Sequence, residues 1–401
     1  MRHGPSGPPG RFHHMPNRWL ILAALTFART VLGFQFQSLP AVAPLVVADF
    51  NIGYAALGTI IGLYLLPGIA VAIPGGVLAQ RFGDKRIVCW GLAAMAAGGL
   101  MMAFGDEKWL TAGRIVSGCG AVFLNVLITK MTTDTFEGRE VVTALGLVIT
   151  SWPLGIALAL VTLPPLAAVS SWRAGMVAGA ALSVIALVLL FLVYPARAER
   201  STRAAARLRF DLTRHELALS LLSGLVWSFY NMGLILVLAF GPAWLVAAGD
   251  SPSHASAVVS LVSWLLIVSV PLGASLADRA GHPMTTMLTF LLLAAGTIAL
   301  LPSAGASLAL MAALGLIFGP PAGLIMALAG QSAAPERRAL AMGVYFTVYY
   351  VGMGVVPGVA GFARDVTGSA VAPIWLSAAM MLLTAVALFA FRALRRAGPD
   401  V

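Results

Sequence analysis

Apolar runs, each long enough to cross a bilayer, alternate with short polar stretches along the whole chain. Twelve can be marked, at 19–46, 55–80, 87–104, 110–129, 141–163, 172–193, 217–248, 257–277, 284–301, 307–330, 339–361 and 372–394. About 20 helical residues span the roughly 30 Å of hydrocarbon in a bilayer, so each run predicts one transmembrane helix. The longest polar stretch, 194–216, follows the sixth run and separates a 19–193 bundle from a 217–394 bundle, with tails at 1–18 and 395–401. The first tail does not read as a signal peptide, because the apolar run after it is too long, contains Arg29 and lacks a small-residue cleavage site.

Composition excludes a water-soluble fold. Of 401 residues, 60% are hydrophobic and 10% charged, against about 25% charged in soluble domains. The 42 Gly and 23 Pro are scattered through the apolar runs, as membrane helices tolerate. The net charge of +10 would suit nucleic acid only if the cations were pooled on one surface, and they lie between runs instead. Twenty of the 25 Lys and Arg fall on the side of the termini and three, Lys108, Arg173 and Arg364, on the opposite face. That bias predicts a multi-pass protein of the cell (inner) membrane with both termini and the 194–216 linker cytoplasmic. Cys89 and Cys119 both lie inside apolar runs and support neither a disulfide framework nor a metal site.

The halves repeat. Gly76-Val77-Leu78-Ala79-Gln80-Arg81-Phe82-Gly83 follows the second run and Ala274-Ser275-Leu276-Ala277-Asp278-Arg279-Ala280-Gly281 the eighth, an offset of 198 residues. The same offset carries Arg139 onto Arg337. Duplicated six-helix units are one way of building a transporter with its site between them.

At these residues the chain resembles the major facilitator superfamily, whose loop signature G-x-L-A-D-R-x-G with following cations is met by Gly76, Leu78, Ala79, Arg81, Gly83, Lys85 and Arg86. A second signature, R-x-x-x-G-x-G, is met by Arg114, Gly118 and Gly120. The resemblance implies an all-α integral membrane fold of twelve helices in two pseudo-symmetric bundles, with transport by alternating access. It also implies gating roles for Gly76, Gln80, Arg81, Gly83, Asp84, Arg114, Gly118, Asp278, Arg279 and Gly281. Gln80 stands where the family has an acid that latches the bundles; Asp278 keeps it in the second copy, and Asp84 is the candidate substitute. The missing acid, Arg29 in the first run and Asn125-Val126-Leu127 late in the fourth resemble the cyanate and nitroimidazole porter branch.

Arg29 lies at the expected midplane, where a charge costs about 2.5 kcal/mol or more and should meet an anion. All fifteen acids fall at helix ends or in loops, which leaves the substrate as one counter-ion and backbone carbonyls near Gly33 and Pro40 as the alternative. Helical spacing places Gly33, Phe36 and Gln37 on the Arg29 face and aligns Arg114, Gly118, Ala121 and Asn125. In the second half it aligns Gly224, Trp227 and Asn231, and Tyr345, Tyr349 and Gly352. These yield substrate-site candidates Arg29, Gln37, Asn125, Trp227, Asn231, Tyr345 and Tyr349, with packing as the other reading of the aromatics. Trp152 beside Pro153 and the Ser260, Trp264 pair are further candidates, and Pro320-Pro321 is expected to bend or break its helix. Arg114 is expected to snorkel, cap backbone or pair with Asp49.

Enzyme readings fail. His215-Glu216 opens a zincin-like motif whose second His is Leu219, and all six His lie outside the runs. The expected protein needs no cofactor or metal and works as a monomer in the lipid bilayer on a small, anionic solute. A proton-coupled exporter of drugs or metabolites and a transport-inactive sensor of the same fold remain open at this point.

Overall fold

A computed structural model describes residues 17–136, 138, 140–195, 212–305 and 307–397, so the expected tail at 1–16, most of the linker and Arg139 lie outside the described residues. Every regular element among them is helical. The first crossing is α1 (Arg18–Ala41) continued by the short α2 (Ala43–Phe50), and the second is α3 (Tyr54–Gly62) continued by α4 (Gly68–Phe82). The first half is completed by α5 (Asp84–Phe104), α6 (Glu107–Thr135), α7 (Glu140–Val169) and α8 (Trp172–Val193). The second half holds α9 (Arg214–Ala247), α10 (Pro252–Ala280), α11 (Pro283–Ala304), α12 (Leu308–Ala327), α13 (Arg338–Thr367) and α14 (Ala372–Ala397).

Among the described residues, eleven helices are individually long and apolar enough to cross a membrane. The axes of α2 and α3 differ by 119°, so the chain reverses there, helped by Asn51 at φ 50°. The twelfth crossing is therefore α3 with α4, joined by residues 63–67, which keep turning through bonds such as Leu66 N–H to Gly62 O at 3.1 Å. Two runs expected to be single helices, 19–46 and 55–80, are thus each interrupted. In the first, Pro40 has no N–H to give the carbonyl of Phe36 four residues back, and the helix resets at Val42. The expected bend or break at Pro320-Pro321 does not interrupt α12, which is helical from Leu308 to Ala327.

The helix starts follow ordinary capping chemistry. Asn17 accepts from Trp19 N–H, Asp106 from Lys108 and Trp109 N–H, and Thr213 with Glu216 forms a capping box. Gly83 and Gly281 hold φ of +96° and +65°, the turn geometry expected of both repeat loops.

Equivalent helices pack equivalently: α1 lies on α7 as α9 lies on α13, and α5 on α8 as α11 on α14. The repeat also shows in an ion pair with its charges exchanged. Arg18 at the start of α1 meets Glu140 at the start of α7 at 2.7 Å. Glu216, 198 residues after Arg18, meets Arg337 beside α13 at 2.8 Å. In this conformation Asp84 pairs with Lys130 of its own half and not across the bundles, where the latch was expected of it.

The halves meet through α3 with α13, α7 with α10 and α1 with α9. At the end away from the termini this contact is close. Cβ atoms added to Gly58 and Gly62 would lie 2.0 and 1.9 Å from the Pro357 and Gly354 carbonyls, so only glycine permits the approach. Gln37 donates to the Leu238 carbonyl at 2.7 Å across the same seam. That end of the molecule is closed.

Candidate functional site

Arg29 is the twelfth of the 24 residues of α1, about 17 Å along a helix from its start. It is partly accessible, and its Nε is buried with no hydrogen-bond partner. Its titratable neighbours among the described residues are the phenols of Tyr349 and Tyr350, on α13 of the opposite half. The described acids stand at helix ends or between helices. An unpaired guanidinium thus sits at mid-depth where the two halves face each other.

Tyr350 binds the halves together at this depth. It is buried, its ring lies where a side chain on Gly68 would be, 2.5 Å from an added Cβ, and its hydroxyl accepts from Asn125 Nδ2 at 3.5 Å. Trp227, Asn231 and Tyr349 are partly accessible on the second half. The Trp227 ring lies 6.2 Å from Tyr349, and it stacks on Tyr230 at 5.8 Å and Tyr345 at 6.4 Å with interplanar angles of 23° and 22°. Asn231 Nδ2 donates to the Trp227 carbonyl at 2.8 Å, which fixes the amide beside the indole.

Several expected site residues sit elsewhere. Gln37 is fully buried in the closed seam, because a donor there meets the Leu238 carbonyl, and Phe36 turns toward Tyr64 and Trp152 with ring centroids at 5.7 and 5.1 Å. Neither stands beside Arg29. Tyr345 is fully buried behind Trp227, its hydroxyl without a partner, so it braces the indole and does not line the opening. Ser260 is buried and bonded to its own helix, while Trp264 is on the exterior.

Arg114 takes the structural alternative first considered for Arg29. It is fully buried, donates to Gln35 O at 2.9 Å and Phe36 O at 2.7 Å, and lies 4.4 Å over the Tyr64 ring. The Phe36 carbonyl is the one left without a helical donor by Pro40. Gly118, one turn on, is pressed against the Tyr64 carbonyl, 2.3 Å from an added Cβ. The expected pairing of Arg114 with Asp49 is not made: Asp49 holds Arg173 at 2.7 Å and accepts from Trp172 Nε1 at 3.1 Å.

Of the loop residues, Gln80, Arg81 and Arg279 are exposed, and Arg81 lies 5.3 Å over the Phe82 ring. Gly76 and Asp278 fall in α4 and α10, with their side-chain surroundings outside the described residues. Sequence reasoning missed two residues. Tyr350 could have been found by adding 198 to Trp152. Asp365, on α13, carried no such signal: its carboxylate accepts from the Tyr54 and Ala55 N–H groups of α3 at 3.0 and 2.8 Å.

The chain matches the Major Facilitator Superfamily over residues 25–357, with a second match over 217–400. It belongs to that family, and it is a multi-pass membrane protein. It is 30% identical over 139 residues to the inner membrane transport protein YajR of Escherichia coli (strain K12), a stretch covering 34% of this chain and 30% of YajR. It is 22% identical over 260 residues to the hexuronate transporter of Bacillus subtilis (strain 168), covering 61% of each. The match thus spans less than two thirds of either relative. Among solved structures, the nucleoside transporter NupG is similar with a TM-score of 0.74 at 17% identity, covering 94% of this chain and all of NupG. An inward-facing, occupied bacterial homologue of the human lysosomal transporter Spinster gives 0.69 at 15% identity, covering 94% of this chain and 97% of that one. These likenesses establish the fold.

Proposed function

We propose that this protein is a secondary carrier of a small organic or inorganic anion, bound at mid-depth between the 19–193 and 217–394 bundles and moved by alternating access. The observation that carries the reading is Arg29, a partly accessible cation between the halves with an unsatisfied Nε and, among the described residues, no carboxylate at its depth. Such a charge is costly in a membrane interior unless a mobile anion compensates it. The Bacillus relative named a hexuronate transporter, whose namesake is a carboxylate, supports the anionic class. Arg29 and Asn125-Val126-Leu127 support the cyanate and nitroimidazole porter branch within it.

Asn125, Trp227, Asn231 and Tyr349 would frame the anion, and Gln37 would be released from Leu238 when the outer end opens. With both termini cytoplasmic in the inner membrane, the closed end faces outward. The chain acts as a monomer. No acid or His lies within the described crossings away from their ends, which favours anion exchange or facilitated diffusion over proton antiport. A thermal-shift screen of small anions on purified protein tests the reading: a stabilising anion should lose its effect in Arg29→Gln, and an unchanged shift there rejects Arg29 as the site.

A further inference from the structure

Adding the repeat offset of 198 residues to Arg29 gives Trp227. The first helix of each half therefore carries, at the same place in the repeat, a guanidinium in one bundle and an indole in the other. Depth agrees with sequence. The α1 and α9 helices touch where Gln37 donates to Leu238; Arg29 lies eight residues and Trp227 eleven residues from that contact, about 12 and 16 Å deeper. Both side chains are partly accessible, and Tyr349, a neighbour of Arg29 from the opposite half, lies 6.2 Å from the Trp227 ring.

The indole is held as a flat surface. Tyr230 and Tyr345, both buried, stack against it within 23° of parallel, and the Tyr230 hydroxyl is fixed by the Phe318 carbonyl. A wall built this way meets a planar body better than a branched one, since stacking rewards parallel faces. Among the described residues only one guanidinium is open at this depth, because that of Arg114 is covered and bonded to two backbone carbonyls.

We propose that the substrate is a monoanion with a flat body of about one aromatic ring, its carboxylate on Arg29 and its ring against Trp227 and Tyr349. This rests on the reading of Arg29 as the anion site. A sugar acid would need several hydroxyl partners, and one of the two amides nearby, Asn231, already donates to the Trp227 carbonyl.

The test uses the full chain in proteoliposomes loaded with benzoate. Entry of labelled benzoate is measured against two competitors of equal charge and similar size, benzoate itself and cyclohexanecarboxylate. Benzoate should compete about threefold to tenfold better, the range expected of one aromatic contact. Trp227→Leu should abolish that ratio and Trp227→Phe should keep most of it, which separates stacking from misfolding. Equal competition in the wild type, a ratio that survives in Trp227→Leu, or no benzoate exchange would overturn the inference. Loss of the ratio with Arg29-dependent exchange of other anions intact rejects the aromatic class alone, whereas benzoate exchange persisting in Arg29→Gln rejects the anion site itself.

Discussion

Asp365 of the second half caps the helix that begins at Tyr54 of the first. Its two carboxylate oxygens accept from the Tyr54 and Ala55 N–H groups at 3.0 and 2.8 Å, at the positive end of α3, where backbone donors have no helical partner. Arg364, the preceding residue, lies 3.5 Å over the Tyr54 ring. The acid and the helix belong to different bundles, so the bonds exist only while the two bundles are in contact at this end. At the other end of the crossing, the position where the family has its latching acid is Gln80.

Asp365→Asn keeps one acceptor and loses the charge. Charge-assisted hydrogen bonds contribute about 1.5–3 kcal/mol, so opening of the outer end should become about tenfold more frequent. Alkylation of Leu238→Cys, a residue fully buried in the seam, measures this with Cys89 and Cys119 replaced by Ser. Labelling from the outer side should accelerate in the Asp365→Asn background, and an unchanged rate would show that the cap does not govern closure.

The two membrane arginines should separate by assay. Arg114 satisfies the carbonyl that Pro40 leaves without a donor, so Arg114→Gln should cost about 3 kcal/mol or more, as breaking a buried charged contact does, and lower the thermal midpoint in detergent. Arg29 has no such partners, so Arg29→Gln should leave the midpoint unchanged or raise it. Reversal of the two effects would exchange their roles.

Acid should weaken the start of the second half. Burial alone would raise the Glu216 carboxyl pKa, but hydrogen bonds from Thr213, Arg337 and Ala334 outweigh it and hold the group down at about 2. A carboxyl depressed on folding contributes stability above its ordinary range, near 4.3, and that stability is lost as the pH falls from there toward about 2. Glu216→Gln should therefore lower the thermal midpoint at pH 7 and shrink its fall between pH 5 and pH 3. An equal fall in both proteins would assign acid sensitivity elsewhere.

Topology is open to a direct check. Reporter fusions after Glu216 and after Asp250, at opposite ends of α9, should report cytoplasm and exterior respectively. The same side for both would contradict the twelve-crossing path.

The crossings were legible because apolar length alone defines them, and the repeat because its loop residues recur at a fixed spacing. The breaks near Val42 and at 63–67 were not, since apolar composition runs through both. Arg29 and Arg114 look alike in sequence, each a cation in an apolar helix. What separates them is three-dimensional: Arg114 faces the α1 carbonyl that Pro40 orphans, and Arg29 faces tyrosines of the other half. Gln37 shares a helical face with Arg29, yet two turns of rise carry it out of reach and into the seam. Asp365 was legible only as a helix-end acid, because its partner is backbone 310 residues away.

On the proposed function, Arg29 carries the charge of a transported anion. Counterflow in proteoliposomes tests it most directly: vesicles preloaded with a stabilising anion, the pH gradient collapsed, and entry of the labelled anion followed. Internal anion should accelerate entry in the wild type, the rate should be reduced in Arg29→Lys, which keeps the charge but loses the planar fork, and almost none should remain in Arg29→Gln at equal reconstitution. Wild-type counterflow in Arg29→Gln, or a strict requirement for an imposed pH gradient, would contradict it.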